Sequence, residues 1–193
     1  MTEMKSRLGD LPTKRLKIED LRRLMERILT GFGLKPDVAA IVAEPFLEAD
    51  LRGLYIQGLH HLMHSMVRNL RHKKLNPTGT PRVIKDGPAF AIVDGDLAPG
   101  PLSGTFASDL VIKKAREAGS AAVGVVRSTD MYMIGHYAER MARAGVIGFV
   151  FVDAPPMIPP TGGMSETIGT NPMAIGIPTE DEDPLILDIS SAS

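Results

Sequence analysis

The chain contains no cysteine. That excludes a disulfide framework, thiolate zinc sites and a cysteine nucleophile. Tryptophan is also missing, while eleven methionines supply flexible core filler. The formal net charge is only −1, so there is no electrostatic case for nucleic acid or for an anionic membrane. No apolar run approaches the ~18 residues that a membrane-spanning helix needs. No G-x-G-x-x-G opens a βαβ unit, so an ordinary Rossmann reading has no support. No H-E-x-x-H occurs, and we see no internal repeat or low-complexity segment. Residues 1–17 are charged and lack an apolar signal core. A loose leader and a cytoplasmic location are the expectation.

What is present fits a globular protein. The 193 residues suffice for one domain with a real core, and the 44% hydrophobic and 23% charged fractions match that class. Helical periodicity begins at Ile18. Leu21, Leu24, Met25, Ile28 and Leu29 fall on one helix face, with Glu19 and Asp20 in the first turn and Gly31 and Gly33 at the end. Pro36 and Asp37 start a second helix with Val38, Ile41, Val42 and Phe46 on its apolar face. Pro45 should kink that helix or end it early. A third helix follows Gly58, carrying Leu59, Leu62, Met63, Met66, Val67 and Leu70. Its basic cluster of Arg68, Arg71, Lys73 and Lys74 reads as a solvated face near the helix C-terminus.

After Asn76-Pro77-Thr78-Gly79 the pattern changes to strands. Strands are expected at residues 82–84 and 90–93. Ser103 is expected to cap a helix carrying Phe106, Leu110 and Val111, ending at Gly119. Residues 121–126 read as a buried strand, 134–144 as a helix stopped by Gly145, and 146–152 as another apolar strand. Two last strands are expected at Met173–Ile177 and Leu185–Ile189. The order implies an α/β fold: a helical part over residues 18–75, then a mixed sheet with alternating helices over 76–193.

Chemistry has few candidates. His60 and His64 are four apart and can meet on one helix face, but a third metal ligand is not evident, so no metal is expected. His61 is offset from that pair and can reach a cleft independently. His136, at a helix start, reads as structural or exposed. Ser128-Thr129-Asp130-Met131-Tyr132 follows a strand directly, a place where α/β proteins put ligand contacts. Asp130 is available as a base, as a holder of a ligand hydroxyl, or as the cap of the next helix. The Gly/Pro-rich turns at 159–163 and 168–172, with the strand end at Asp188, read equally as ligand-contacting loops or as structural turns.

The order of these motifs resembles the malate/L-lactate dehydrogenase family, the group with ureidoglycolate, sulfolactate and diketogulonate dehydrogenases. The resemblance is carried by Ala49-Asp50-Leu51-Arg52-Gly53, Val93-Asp94-Gly95, Gly145-Val146-Ile147-Gly148, Pro159-Pro160-Thr161-Gly162-Gly163, Ile168-Gly169-Thr170-Asn171-Pro172 and Leu187-Asp188-Ile189-Ser190. It implies a non-Rossmann NAD(P)-binding α/β fold, usually a cytoplasmic homodimer. It also implies hydride transfer between a 2-hydroxy acid and a 2-oxo acid, or reduction of a cyclic imine acid. NAD or NADP contacts map to Thr170, Asn171, Asp188, Ile189 and Ser190.

Three positions depart from the family pattern. The histidine of Ser-His-Gly is Gln57 here, and an amide has no useful pKa for proton transfer. The arginine four residues on is His61, which cannot make the same bidentate clamp. The histidine of Ser-Asn-His-x-Gly is Asp130, and Tyr132 replaces the glycine, placing a large side chain in a ligand-facing turn. Family chains also continue well beyond this length. The fold is therefore expected to be incomplete at its C-terminus, or completed by a second chain. His61 or Asp130 is the expected proton carrier, with Gln57 hydrogen-bonding substrate oxygen. The alternative is a non-catalytic subunit or binding protein that keeps the fold.

Overall fold

The computed structural model describes residues 14–180 and 183–190. Most of the expected leader, residues 1–13, lies outside the described residues. The first layer is helical. α1 (Ile18–Gly31) buries Met25 and Leu29 against α2 (Pro36–Leu51). Residues 59–71 follow as α3 (Leu59–His61), a π turn (Leu62–Met66) and α4 (Val67–Arg71). Leu62, Met66, Val67 and Leu70 complete this core.

Pro45 does not end α2, which runs six residues further. The missing N–H and the ring cost local helix energy. Val42, Ala43, Pro45, Phe46, Leu47 and Ala49 are all buried, and that packing outweighs the local cost.

The second layer holds two three-stranded sheets, ordered β1-β2-β3 and β4-β5-β6. β1 (Arg82–Asp86) and β2 (Phe90–Asp94) form an antiparallel pair with a register shift between Val83 and Lys85. β2 continues through α5 (Gly100–Ala118) to β3 (Ala122–Val126), which lies parallel to it. This is a βαβ unit, the crossover that parallel pairing demands. In the second sheet, β4 (Gly148–Phe151), β5 (Met173–Ile177) and β6 (Leu185–Ile189) are antiparallel throughout. α6 (Gly135–Arg143) packs Ile134, Tyr137 and Ala138 on Ala174 of β5.

Three local expectations are corrected. Ser103 does not cap α5: the helix starts at Gly100, because Pro101 is tolerated in a first turn. Ser103 lies fully buried inside it, and the face turned to the core carries small residues, whereas Phe106 is exposed. The strand expected to be buried is β3, but among the described residues it pairs only with β2 and leaves Val126 exposed. Asp130 does not cap α6. Asp188 does, its Oδ2 accepting the Gly135 N–H at 2.7 Å. Gly145 stops the helical run as expected, at φ +80°.

A charged network fastens the two layers. Arg52, at the end of α2, pairs with Glu48 and with Glu139 of α6, and His136 pairs with Glu48. Arg143 adds Glu139 at 2.7 Å and Asp183 at 3.1 Å. Burial acts to raise Glu48, but its bonds to His136, Glu139 and Arg52 hold it at about 2. His136 is thus engaged with Glu48 inside this network.

Candidate active site

Between the two sheets lies a cleft of about 1350 Å³. Its floor comes from small residues of α5 and from Tyr137 and Met141 of α6; β3 and β4 form its sides. The 127–132 turn and His61 close one end. Glycine makes that end possible. A Cβ at Gly100 would run into the backbone carbonyl of Asp130, so the turn can sit on the start of α5 only because residue 100 has no side chain. The Thr129 hydroxyl donates to the Ala98 carbonyl at 3.0 Å and fixes the same approach.

His61 meets Tyr132 edge-on, with ring centroids 5.0 Å apart. Tyr132 has φ +61° and turns its ring into the helical layer, 4.5 Å from Phe46, with its hydroxyl 3.4 Å from Ser65 Oγ. The side chain that replaces the family's glycine therefore forms the base of the His61 pocket. Burial pushes His61 below its ordinary value, and the neighbouring His60 and His64 push the same way, while Asp130 opposes them. Its Nδ1 is buried and has no hydrogen-bond partner among the described residues. Asp130 closes its own turn, Oδ1 accepting the Tyr132 N–H at 2.9 Å.

His61, Asp130 and Thr170 line the same cleft, whereas Gln57, Asn171, Asp188, Ile189 and Ser190 are not among its lining residues. Gln57 is exposed in the loop before α3. Asn171 Oδ1 accepts the Ala154 N–H at 2.9 Å, Asp188 caps α6, and the Ser190 hydroxyl donates to the Thr170 carbonyl at 3.3 Å. The His60 and His64 rings stack at 5.7 Å, and no cluster able to hold a metal occurs among the described residues.

Sequence reasoning missed Arg127, which lines the cleft beside Ser128. It pairs with Asp94 at 3.1 Å and Asp96 at 3.0 Å, and Arg82 adds a second cation on Asp94. Its place directly after β3 was the available signal. Asp153 and Met157 were missed as well, because their approach depends on the Ile158–Ile168 bridge that folds the 152–172 connection back.

The sequence model of the malate/L-lactate dehydrogenases matches residues 16–193. The chain belongs to this family. Malate dehydrogenase of Pyrococcus abyssi is 34% identical over 178 residues, which cover 92% of this chain and 49% of that protein. L-sulfolactate dehydrogenase of Methanocaldococcus jannaschii is 32% identical over 160 residues, covering 83% and 46%. The solved malate dehydrogenase of Pyrococcus horikoshii superposes with a TM-score of 0.87 at 34% identity, over 92% of this chain and 51% of that one. A piperideine carboxylate reductase from Pseudomonas syringae superposes with a TM-score of 0.85 at 26% identity, over 93% and 54%. The chain thus spans about half the length of the family relatives it matches. Its fold is the mixed α/β, non-Rossmann arrangement of these dehydrogenases. Among the described residues, no helix is long and apolar enough to cross a membrane.

The residues expected to hold a nicotinamide dinucleotide fit it in part. Thr170 lines the cleft, but the side chains of Asn171 and Asp188 are engaged inside the protein.

Proposed function

We propose that this chain forms the proton-transfer half of an NAD(P)-linked oxidoreductase acting on a 2-hydroxy or 2-oxo acid, or on a related imine acid. In this reading it works in the cytoplasm as a homo-oligomer, or with a second chain that completes the fold. The observation that carries the proposal is His61: a histidine on the cleft, next to Asp130, with a buried ring nitrogen that has no partner among the described residues. Held neutral by burial, its imidazole is suited to take the proton from a substrate hydroxyl. A bound NAD or NADP supplies the hydride acceptor for that oxidation. Asp130 steadies the imidazolium that results. Gln57 serves as a hydrogen-bonding residue only if its loop folds toward the cleft.

The test is titration of the purified chain with NADH and NADPH, followed by assays with pyruvate, oxaloacetate and a cyclic imine acid. Turnover that His61→Ala abolishes and His136→Ala retains supports the proposal. Turnover unchanged in His61→Ala removes it.

A second reading, a non-catalytic member that keeps the fold, is favoured by one observation. Arg127 lines the cleft but is already paired with two aspartates, leaving the substrate carboxylate no ready clamp. Dinucleotide binding without turnover on any of these substrates supports that reading.

A further inference from the structure

Asp50 and Arg52 stand two residues apart at the end of α2 and reach to different elements. Arg52 ties α2 to Glu139 of α6. Asp50 turns to the start of α3, where its Oδ2 accepts the Leu59 N–H at 2.8 Å. The fit is close. A Cβ on Gly58 would come within 2.0 Å of Asp50 Oδ1, so the carboxylate takes the space that a side chain at 58 would need. Gly58 is buried and Asp50 half-buried. Burial pushes Asp50 up from its ordinary value while the Leu59 N–H pulls it back, so the bond offsets part of the cost of placing a carboxylate there.

The turn that Asp50 holds carries His61. Residues 59–61 make one α turn, and the wider π turn follows at once. The first N–H groups of a helix lack intrahelical acceptors. Gly58, just before the turn, has no side chain to supply one, and Asp50 does so from nine residues upstream of Leu59. After His61, Leu62 is fully buried in the helical core, and its N–H donates to the Gly58 carbonyl at 3.0 Å. His61 therefore sits between an anchor in the core and an anchor on α2. The charged groups that bear on its ring are Asp130, His60 and His64, with the Tyr132 ring edge-on to it. Asp50 is not one of them, so its influence on His61 runs through the backbone.

We propose that Asp50 is a positioning residue: by holding the Leu59 N–H it sets the first turn of α3 and so presents the His61 imidazole to the cleft. The proposal deepens the reading of His61 as proton carrier and rests on it for its catalytic meaning.

NMR of the histidine-labelled chain, purified from the producing cells, tests it. The resonance that His61→Gln removes is that of His61, one of five histidines. In wild type it should titrate below the ordinary 6.5. Asp50→Ala should bring the midpoint up to about 6.5 and speed exchange of the Leu59 amide about tenfold, because the turn frays and water reaches the ring. Asp50→Asn keeps an acceptor oxygen and should leave both readouts as in wild type. Gly58→Ala keeps the carboxylate but drives a methyl group into it, so it should reproduce Asp50→Ala, and it replaces that variant if Asp50→Ala fails to fold. A His61 midpoint that is the same in wild type and in these folded alanine variants, whatever their thermal midpoints, overturns the proposal and leaves Asp50 a brace of the fold alone. Asp50→Asn behaving as Asp50→Ala also overturns it, since charge and not the held N–H would then be at work. Where turnover is measured, Asp50→Ala should lower kcat about tenfold with KM within about twofold, because Asp50 does not line the cleft. A chain without turnover removes the catalytic reading of His61 and leaves the titration result standing, so the two failures are distinct.

Discussion

The two ends of the cleft differ in what their polar groups are doing. At the His61 end, a ring nitrogen is buried without a partner and a carboxylate stands beside it. At the Thr170 end, the side chains of Asn171 and Asp188 are held by backbone N–H groups of other elements. One end keeps unused hydrogen-bonding capacity. The other has used it to shape turns and to cap a helix. Chemistry and architecture can thus draw on the same residue types, and the partner of each group separates them.

The largest effect should come from pushing the His61 end away from α5. Gly100→Ala places a methyl group against the Asp130 carbonyl. Urea unfolding should show a loss of about 3 kcal/mol, because backbone must move to relieve the clash. Gly169→Ala does the same to the other end, where the Ala154 carbonyl blocks the space. Equal losses from the two would mean that both ends are equally braced. Dinucleotide binding that fails only in Gly169→Ala would mark the Thr170 end as the cofactor side.

Next comes Asp188→Ala, which removes the α6 cap and should cost about 1 kcal/mol, read as a lower thermal midpoint. Unchanged stability with weakened NADH binding would reverse the assignment and make Asp188 a cofactor contact.

A smaller effect lies in the pH dependence. Burial holds His61 below 6.5 in the folded chain. Its contribution is therefore complete above that value and is lost as pH falls through the lowered one, because the unfolded chain takes the proton first. Glu48, held at about 2, does not titrate between pH 7 and 5. Over that window wild type should lose more stability than His61→Gln, as measured by urea midpoints. Equal losses would show that His61 is not buried in solution. The smallest effect belongs to Gln57→His. Its exposed loop should change stability by less than about 0.5 kcal/mol, and a histidine there should restore turnover only if the loop folds onto the cleft.

How much of this could be read in advance follows from the range of each cause. The β5 and β6 strands sit where their apolar runs placed them, and Gly145 stops α6 through its own φ. Those are local properties. The cap of α6 was misplaced because Asp188 is 53 residues away in sequence from the Gly135 N–H it holds. α2 passes through Pro45 because of tertiary burial, which local propensity does not contain. For the site, the Ser128–Tyr132 turn and His61 could be singled out from sequence position. That Arg127 is neutralised, and that Tyr132 folds back under His61, depend on partners tens of residues distant.

The π turn at Leu62–Met66 has a consequence for how this region tolerates change in chain length. A π turn holds one residue more than an α turn. Removing a single residue there would let residues 59–71 close into an ordinary α-helix. The flanking residues would keep their faces, because the deletion removes the one extra residue that the wider turn absorbs. With the core positions Met66 and Leu70 anchored, His61 would still face the cleft. The widened turn works as a slack link, taking up a one-residue change in length without turning His61 away from the cleft.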